Sequence, residues 1–256
     1  MPNPFATASM AAGYAQSRPP LHSRILDRAF TLHKPENPLH IVLDVGCGSG
    51  LSTKPLQDVA HRVIGIEPVE EMLTWANRVA PTAHFAAART EALPILSRTV
   101  DLVTAAGSLN YCHLDAAFPE LARVLSPSGA LCVYDFSQGR KFRESMLLEK
   151  WFAEFANRYP MPAAEATPLS PETLDRIAGG FRVVAHEYFE IGLPMDETAY
   201  TNYITTETNI ASAIRRGAAE GEIRNWLHLS LSSVFGGATH EVLFPGYVAW
   251  MRVITE

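Results

Sequence analysis

Asp44-Val45-Gly46-Cys47-Gly48-Ser49-Gly50 sets glycines at alternate positions, two residues after a carboxylate. Glycine has no Cβ, so such a loop turns sharply and lets a ligand approach its backbone closely. A dinucleotide-binding loop reads G-x-G-x-x-G and seats a pyrophosphate on the helix that follows. Counted from Gly46 this loop reads G-x-G-x-G, and Leu51 stands where the third glycine would be. The phosphate-loop ending Gly-Lys-Ser/Thr is absent. Asp44 would repel a pyrophosphate but could hold the ammonium of an amino-acid moiety, directly or through water. Glu67 follows about 20 residues on, where an acidic side chain accepts hydrogen bonds from ribose hydroxyls. The alternative for Glu67 is that it caps the helix after Pro68. The two acids suit a cationic adenosine derivative better than a phosphate-rich one.

These residues need elements to place them. Ile41 to Val45 is a short β-branched run closed by glycines, which reads as a strand buried on both faces. A helix over Leu21 to Leu32 precedes it, through a Pro35–Pro38 loop, and helical spacing resumes from Leu51 to Ala60. Further strands are expected at Arg62–Glu67, His84–Ala87, Val100–Ala105 and Ala130–Asp135. Helices at Val69–Val79 and Ala116–Leu125 and a turn at Ser126–Gly129 separate them. Strands alternating with helices imply right-handed crossovers and a doubly wound parallel sheet. Binding sites in such sheets lie at the carboxyl ends of the strands, where the glycine loop falls. After Asp135 the rhythm changes. Lys141–Arg158 reads as an aromatic-faced helix, followed by a Pro160–Pro171 loop and a short helix from Pro171. Phe181–Ile191 alternates like a strand, two or three helices span Glu197–Phe235, and a last strand runs Glu241–Val253.

The chain of 256 residues suits one α/β domain. Its formal net charge of -6, with four lysines, argues against a nucleic-acid binder, which needs a basic face for phosphates. Cys47, Cys112 and Cys132 show no metal-like spacing and fit a reducing compartment. Met1–Phe5 lacks the pattern of a signal peptide, and no apolar run is long enough to cross a bilayer. A cytoplasmic protein is therefore expected, with no metal and no membrane or nucleic-acid partner.

The run Val42–Gly50, the segment Ile64-Gly65-Ile66-Glu67-Pro68 and the turn Arg123-Val124-Leu125-Ser126-Pro127-Ser128-Gly129 resemble class I S-adenosylmethionine methyltransferases. They are most similar to the type 11 small-molecule group that includes the quinone-biosynthesis and trans-aconitate enzymes. Ala88–Pro94 resembles that group's adenine-side motif, Val100–Ala105 its fourth strand, and Tyr14–Pro19 the segment that folds over the cofactor in relatives. The resemblance covers residues 10 to 136, roughly half the chain. It implies a Rossmann-like seven-stranded sheet in the order 3-2-1-4-5-7-6, strand seven antiparallel, with helical insertions in the C-terminal half. Residues 1–136 would be the cofactor-binding half, and 137–256 the substrate side with a helical lid and the closing strands.

By position, the resemblance puts Gly46 and Gly48 at the methionine portion of S-adenosylmethionine, with Asp44 near its amino group. Glu67 would bind ribose with Pro68 and Val69 beside it, Thr90 and Glu91 would lie by the adenine, and Ala106 and Ser108 would face the sulfonium. Tyr14 and Arg18 would belong to the covering segment. Relatives often carry an acidic or hydroxyl residue where this chain has Ala88 or Arg89, so adenine would be read by backbone groups. Asp44→Ala or Glu67→Ala is expected to weaken cofactor binding without unfolding the chain.

Methyl transfer from a sulfonium to a small-molecule acceptor is an in-line displacement that leaves S-adenosylhomocysteine. Alignment and water exclusion supply much of its acceleration. A general base is needed only if the acceptor keeps its proton late, and the sequence shows no catalytic motif. His113 could act as that base or merely begin a helix, and Tyr111 could touch cofactor or acceptor or merely pack. Trp151, Phe152, Phe155, Tyr159, Tyr200, Tyr203 and Trp226 form either an apolar acceptor pocket or plain core. The polar run Thr205–Asn209 touches substrate or caps a helix at Thr208 or Asn209. Arg215 and Arg216 either pair with an acidic acceptor or form a solvated helix end. A nicotinamide dehydrogenase of the short-chain type would need Tyr-x-x-x-Lys, which none of the eight tyrosines provides, and the missing third glycine of the loop weighs against nicotinamide dehydrogenases in general. A non-catalytic S-adenosylmethionine-binding regulator or partner subunit would show the same motifs. Whether carbon, oxygen or nitrogen is methylated stays open.

Overall fold

A computed structural model of the protein describes residues 8–35, 37–162 and 166–254. The expectation for Met1–Phe5, and parts of those for the Pro35–Pro38 and Pro160–Pro171 loops, lie outside them.

The chain contacts divide into two compact units. The first, residues 20–136, 165–189 and 246–256, holds the sheet. In it β1 (Leu39–Val45), β2 (Ala60–Ile66), β3 (His84–Ala86), β4 (Val100–Ala106) and β5 (Leu125–Phe136) are mutually parallel neighbours. Two later strands cross from one unit to the other along the chain. These are β7 (Phe181–Met195) and β8 (His240–Val253), while β6 (Lys141–Phe142) is a two-residue strand. The sheet order is β3-β2-β1-β4-β5-β8-β6, with β7 also paired to β8 and β8 antiparallel to β5. This is the expected order, with β8 as its seventh strand and β7 as its sixth, plus the extra β6.

Helix α1 is Ala8–Ser17, α2 Leu21–Leu32, α3 Glu70–Val79 and α4 Leu114–Val124. The core forms because each element presents one apolar face. α4 buries Phe118, Leu121 and Val124 at helical spacing, in one cluster with Leu43, Val103, Leu131 and Val133 of the strands. Each such fully buried side chain contributes about 1.5–3 kcal/mol. Leu51–Ala60 departs from expectation: the segment contains only a five-residue 3-10 helix, Lys54–Asp58. Ser52 and Thr53 turn their hydroxyls onto Asp44, and Pro55 has no N–H to offer a helix. The expected turn at Ser126–Gly129 is drawn into the start of β5, beside an irregularity in its register with β4.

The second unit comprises residues 1–19, 137–164 and 190–245. It carries α1, α5 (Leu147–Arg158), α7 (Glu197–Ile204), α8 (Thr208–Arg215) and α9 (Glu220–Phe235); α6 (Pro171–Ile177) belongs to the sheet unit. The predicted helix over Lys141–Arg158 starts six residues late, at Leu147, because Lys141 and Phe142 pair with β8 instead. Trp151 stacks on Phe155 at 5.1 Å and on Trp226 at 5.9 Å, and its indole N–H donates to Ser230 at 2.8 Å. With Phe152, Tyr159, Tyr200 and Tyr203 also buried, this set is the unit's packed interior. Asn209 is no cap: it lies inside α8, donating to the Tyr159 carbonyl at 3.0 Å.

Candidate functional site

β1 ends at Val45, and the backbone then folds over the end of β2. The N–H groups of Gly46 and Cys47 both donate to the Ile66 carbonyl, at 2.7 and 3.1 Å. Gly46 has φ +67°, and a Cβ there would stand 2.3 Å from that of Ser108. Only glycine fits, because another residue would be strained in backbone and would overlap the neighbouring strand end. Ser108 in turn donates its hydroxyl to the Val45 carbonyl at 2.6 Å. The glycine loop and the bend after β4 are thus locked together.

Asp44 lies beneath this loop and is fully buried. Its Oδ2 accepts hydrogen bonds from Ser52 at 2.7 Å and Thr53 at 2.6 Å, and its Oδ1 from Thr104 at 2.9 Å. Burial pushes the carboxyl above its usual range, against the three hydroxyls, which favour the charge. The side chain therefore braces the loop from below, through partners on β4 and on the segment after the loop. The sequence reading missed those hydroxyls. They lie eight, nine and 60 positions away, and carry no motif of their own.

Glu67 directly follows β2 and is 8% exposed. Its Oε2 accepts from the Gly48 N–H at 3.1 Å and its Oε1 from the Val69 N–H at 3.0 Å. It ties the glycine loop to Val69, the residue before α3, rather than to an N–H of the helix itself. Burial raises this carboxyl, opposed by the two N–H groups and assisted by the Asp44 charge. Each oxygen keeps a lone pair after these bonds, so a hydroxyl donor can still be taken. Pro68 is exposed and Val69 half-buried beside it.

Thr90 is buried, while Glu91 accepts from the His113 backbone N–H at 2.9 Å. Burial works to raise Glu91, and the His113 N–H, its own backbone and Arg89 outweigh it, leaving the group lowered. His113 is the residue before α4 and is exposed; Tyr111 is 66% exposed. Ala106 and Ser108 are half-buried at the end of β4. Tyr14 and Arg18 fall in the other unit. Arg18 there pairs with Glu207 at 2.8 Å, donates to the Thr206 carbonyl at 3.1 Å and lies over the Tyr14 ring. Among the described residues no cluster of three His, Cys, Asp or Glu could hold a metal. None of their helices is long and apolar enough to cross a membrane.

The Ser49 hydroxyl of the loop has no partner among the described residues and is buried, its residue 1% exposed. A glycine cradle, an unpaired buried hydroxyl and an acid with spare lone pairs at the next strand end fit an adenosine-bearing ligand with hydroxyls to donate. No basic side chain of the loop is offered to a phosphate. The strand order, with its antiparallel seventh strand, defines a Rossmann-like fold of the methyltransferase kind.

The comparisons make the class specific. Residues 43–133 match the type 11 methyltransferase domain. Over 182 residues the chain is 30% identical to a malonyl-[acyl-carrier protein] O-methyltransferase of Enterobacter lignolyticus, covering 69% of this chain and 67% of the relative. A demethylmenaquinone methyltransferase of Renibacterium salmoninarum is 35% identical over 97 residues, 38% of this chain and 41% of its own. The fold is shared by a protein described as a type II methyltransferase from Anaeromyxobacter dehalogenans. Its TM-score is 0.71 at 20% identity, over 93% of this chain and 97% of that one. The chain belongs to the class I S-adenosylmethionine-dependent methyltransferases, in the type 11 group, and S-adenosylmethionine is its cofactor.

Proposed function

We propose that this chain methylates a small-molecule acceptor. The observation that carries the reading is the contact of Gly46 with Ser108. It joins the cofactor cradle to the bend Ala106–Asn110 at the ends of two adjacent parallel strands. Two relatives point the same way, one named for a malonyl group on an acyl-carrier protein and one for demethylmenaquinone.

Gly46, Gly48 and Ser49 would hold the amino-acid end of the cofactor and Glu67 its ribose, with Thr90 and Glu91 toward the base and Ala106 and Ser108 toward the sulfur. Asp44 acts on this site through Ser52, Thr53 and Thr104, as a positioning residue. When bound, S-adenosylmethionine supplies an activated methyl group on a cationic sulfur. The chain's own task is to fix donor and acceptor in line and keep water out, an effect worth several kcal/mol of barrier in oriented systems.

Calorimetric titration with S-adenosylmethionine, S-adenosylhomocysteine and NADH tests the cofactor, and release of S-adenosylhomocysteine from a panel of acceptors tests turnover. Micromolar binding of the first two alone, with turnover on at least one acceptor, is expected. Binding without turnover on any acceptor would favour a regulatory or partner subunit. Failure of both adenosyl compounds to bind folded, ligand-free protein would refute the site.

A further inference from the structure

The bend after β4 has a second carboxylate on its far side, which the cofactor site does not use. Asp135 lies near the end of β5, half-buried. Its Oδ1 accepts from the Phe136 N–H at 2.8 Å and its Oδ2 from the Asn110 side-chain amide at 3.2 Å. A Cβ on Gly107 would lie 2.9 Å from Oδ1, so the carboxylate presses directly on the bend whose next residue, Ser108, touches the cofactor loop. The glycine at 107 is what allows that approach.

β5 and β8 pair so that Asp135 stands opposite Tyr247, which places both side chains on one face of the sheet. Tyr247 is 6% exposed, and its hydroxyl has no hydrogen-bond partner among the described residues. A buried phenol without a partner costs free energy unless something completes it. Burial, the Asp135 charge and the Tyr188 phenol on β7 all push this phenol up, so it stays neutral. Burial likewise raises Asp135, opposed by the Phe136 N–H and Asn110. The groups known to face the carboxylate are thus Asn110, the Phe136 N–H and Tyr247, none of them cationic.

Resting on the methyl-transfer reading, we infer that Asp135, held by Asn110 and flanked by Tyr247, is the acceptor subsite and takes a hydroxyl or amine group. One lone pair on each carboxylate oxygen is left for the acceptor's O–H or N–H. The acceptor's heteroatom gains a bond to the methyl carbon as that carbon's bond to sulfur breaks with its electron pair left on sulfur. The acceptor's O–H or N–H bond breaks with its pair left on the heteroatom, and the proton passes to Asp135. A carboxylate acceptor is disfavoured, since it brings a second negative charge and none of these three groups is a cation.

The test uses the full chain, labelled with 13Cγ-aspartate and saturated with S-adenosylhomocysteine. The Asp135 resonance is the one missing from Asp135→Asn, a near-isosteric variant expected to bind S-adenosylhomocysteine within about twofold of wild type. Phenol, benzylamine and benzoate share a ring and differ in the head group. Phenol and benzylamine should shift that resonance and bind at least tenfold more weakly to Asp135→Asn, while benzoate should leave it unmoved. No shift with phenol or benzylamine, or a shift with benzoate alone, overturns the subsite while leaving the cofactor reading intact. Failure to bind S-adenosylhomocysteine overturns both.

Discussion

Replacing Asp44 separates the brace from the charge. In Asp44→Ala, the hydroxyls of Ser52, Thr53 and Thr104, on residues exposed by 4%, 0% and 1%, lose their acceptor inside the protein. A buried hydroxyl left unpaired costs about 1–3 kcal/mol, and removing a desolvated carboxylate gives part of that back, so a net loss of about 3 kcal/mol is expected. Stability should fall together with cofactor affinity, which departs from the expectation of weakened binding alone. Asp44→Asn keeps the shape, and hydroxyls that donated to Oδ2 can rotate to accept from the amide. Its stability at pH 7 should therefore lie within about 1 kcal/mol of wild type. The sign of the pH dependence follows from burial. The carboxyl's folded value lies above its ordinary 3.8, so folding favours the protonated form. That contribution is full below the ordinary value and is lost as pH rises through the raised one. Wild type should thus gain on Asp44→Asn as pH falls from neutral toward about 3.8. Urea denaturation of the three proteins across this range, alongside calorimetry with S-adenosylhomocysteine, gives both quantities. If Asp44→Ala is as stable as wild type, or the difference from Asp44→Asn runs the other way with pH, the brace is wrong.

Two further outcomes follow from the same site. Glu67→Gln turns an amide N–H against the backbone N–H of either Gly48 or Val69, and it loses the charge proposed to meet the ribose. Affinity for S-adenosylhomocysteine should drop by about 10- to 100-fold, the worth of a hydrogen bond to a charged group, and an unchanged calorimetric Kd would remove Glu67 from the site. Gly46→Ala meets both a φ of +67° and a Ser108 Cβ at 2.3 Å, and should cost about 2–4 kcal/mol in urea unfolding. Adding Ser108→Gly should recover the steric part, about 1–2 kcal/mol, and simple additivity of the two changes would show that the close approach is not the cause.

Local order decided much of this protein. The alternation of apolar strands and amphipathic helices up to Asp135 set a doubly wound sheet, because period and β-branching act over a few residues. The spacing Asp44, Gly46, Gly48, Glu67 was legible for the same reason: a loop and the next strand end are fixed by the chain between them. The resemblance carried by those motifs added the strand order, which periodicity alone does not contain. The segment after the glycine loop was misread as a helix because its hydroxyls bond to a residue eight or nine positions back, outside any helical repeat. Lys141–Phe142 looked helical, but a strand about a hundred residues later claims it. Asp135 gave no signal beyond its position at a strand end, since Asn110, Gly107 and Tyr247 come to it from separate elements. Whether Asp44 faces a ligand or hydroxyls of its own chain, and which carboxylate is left with free lone pairs, depends on groups far apart in sequence. Only packing brings those groups together, because hydrogen bonds and desolvation act through space and leave no trace in residue order.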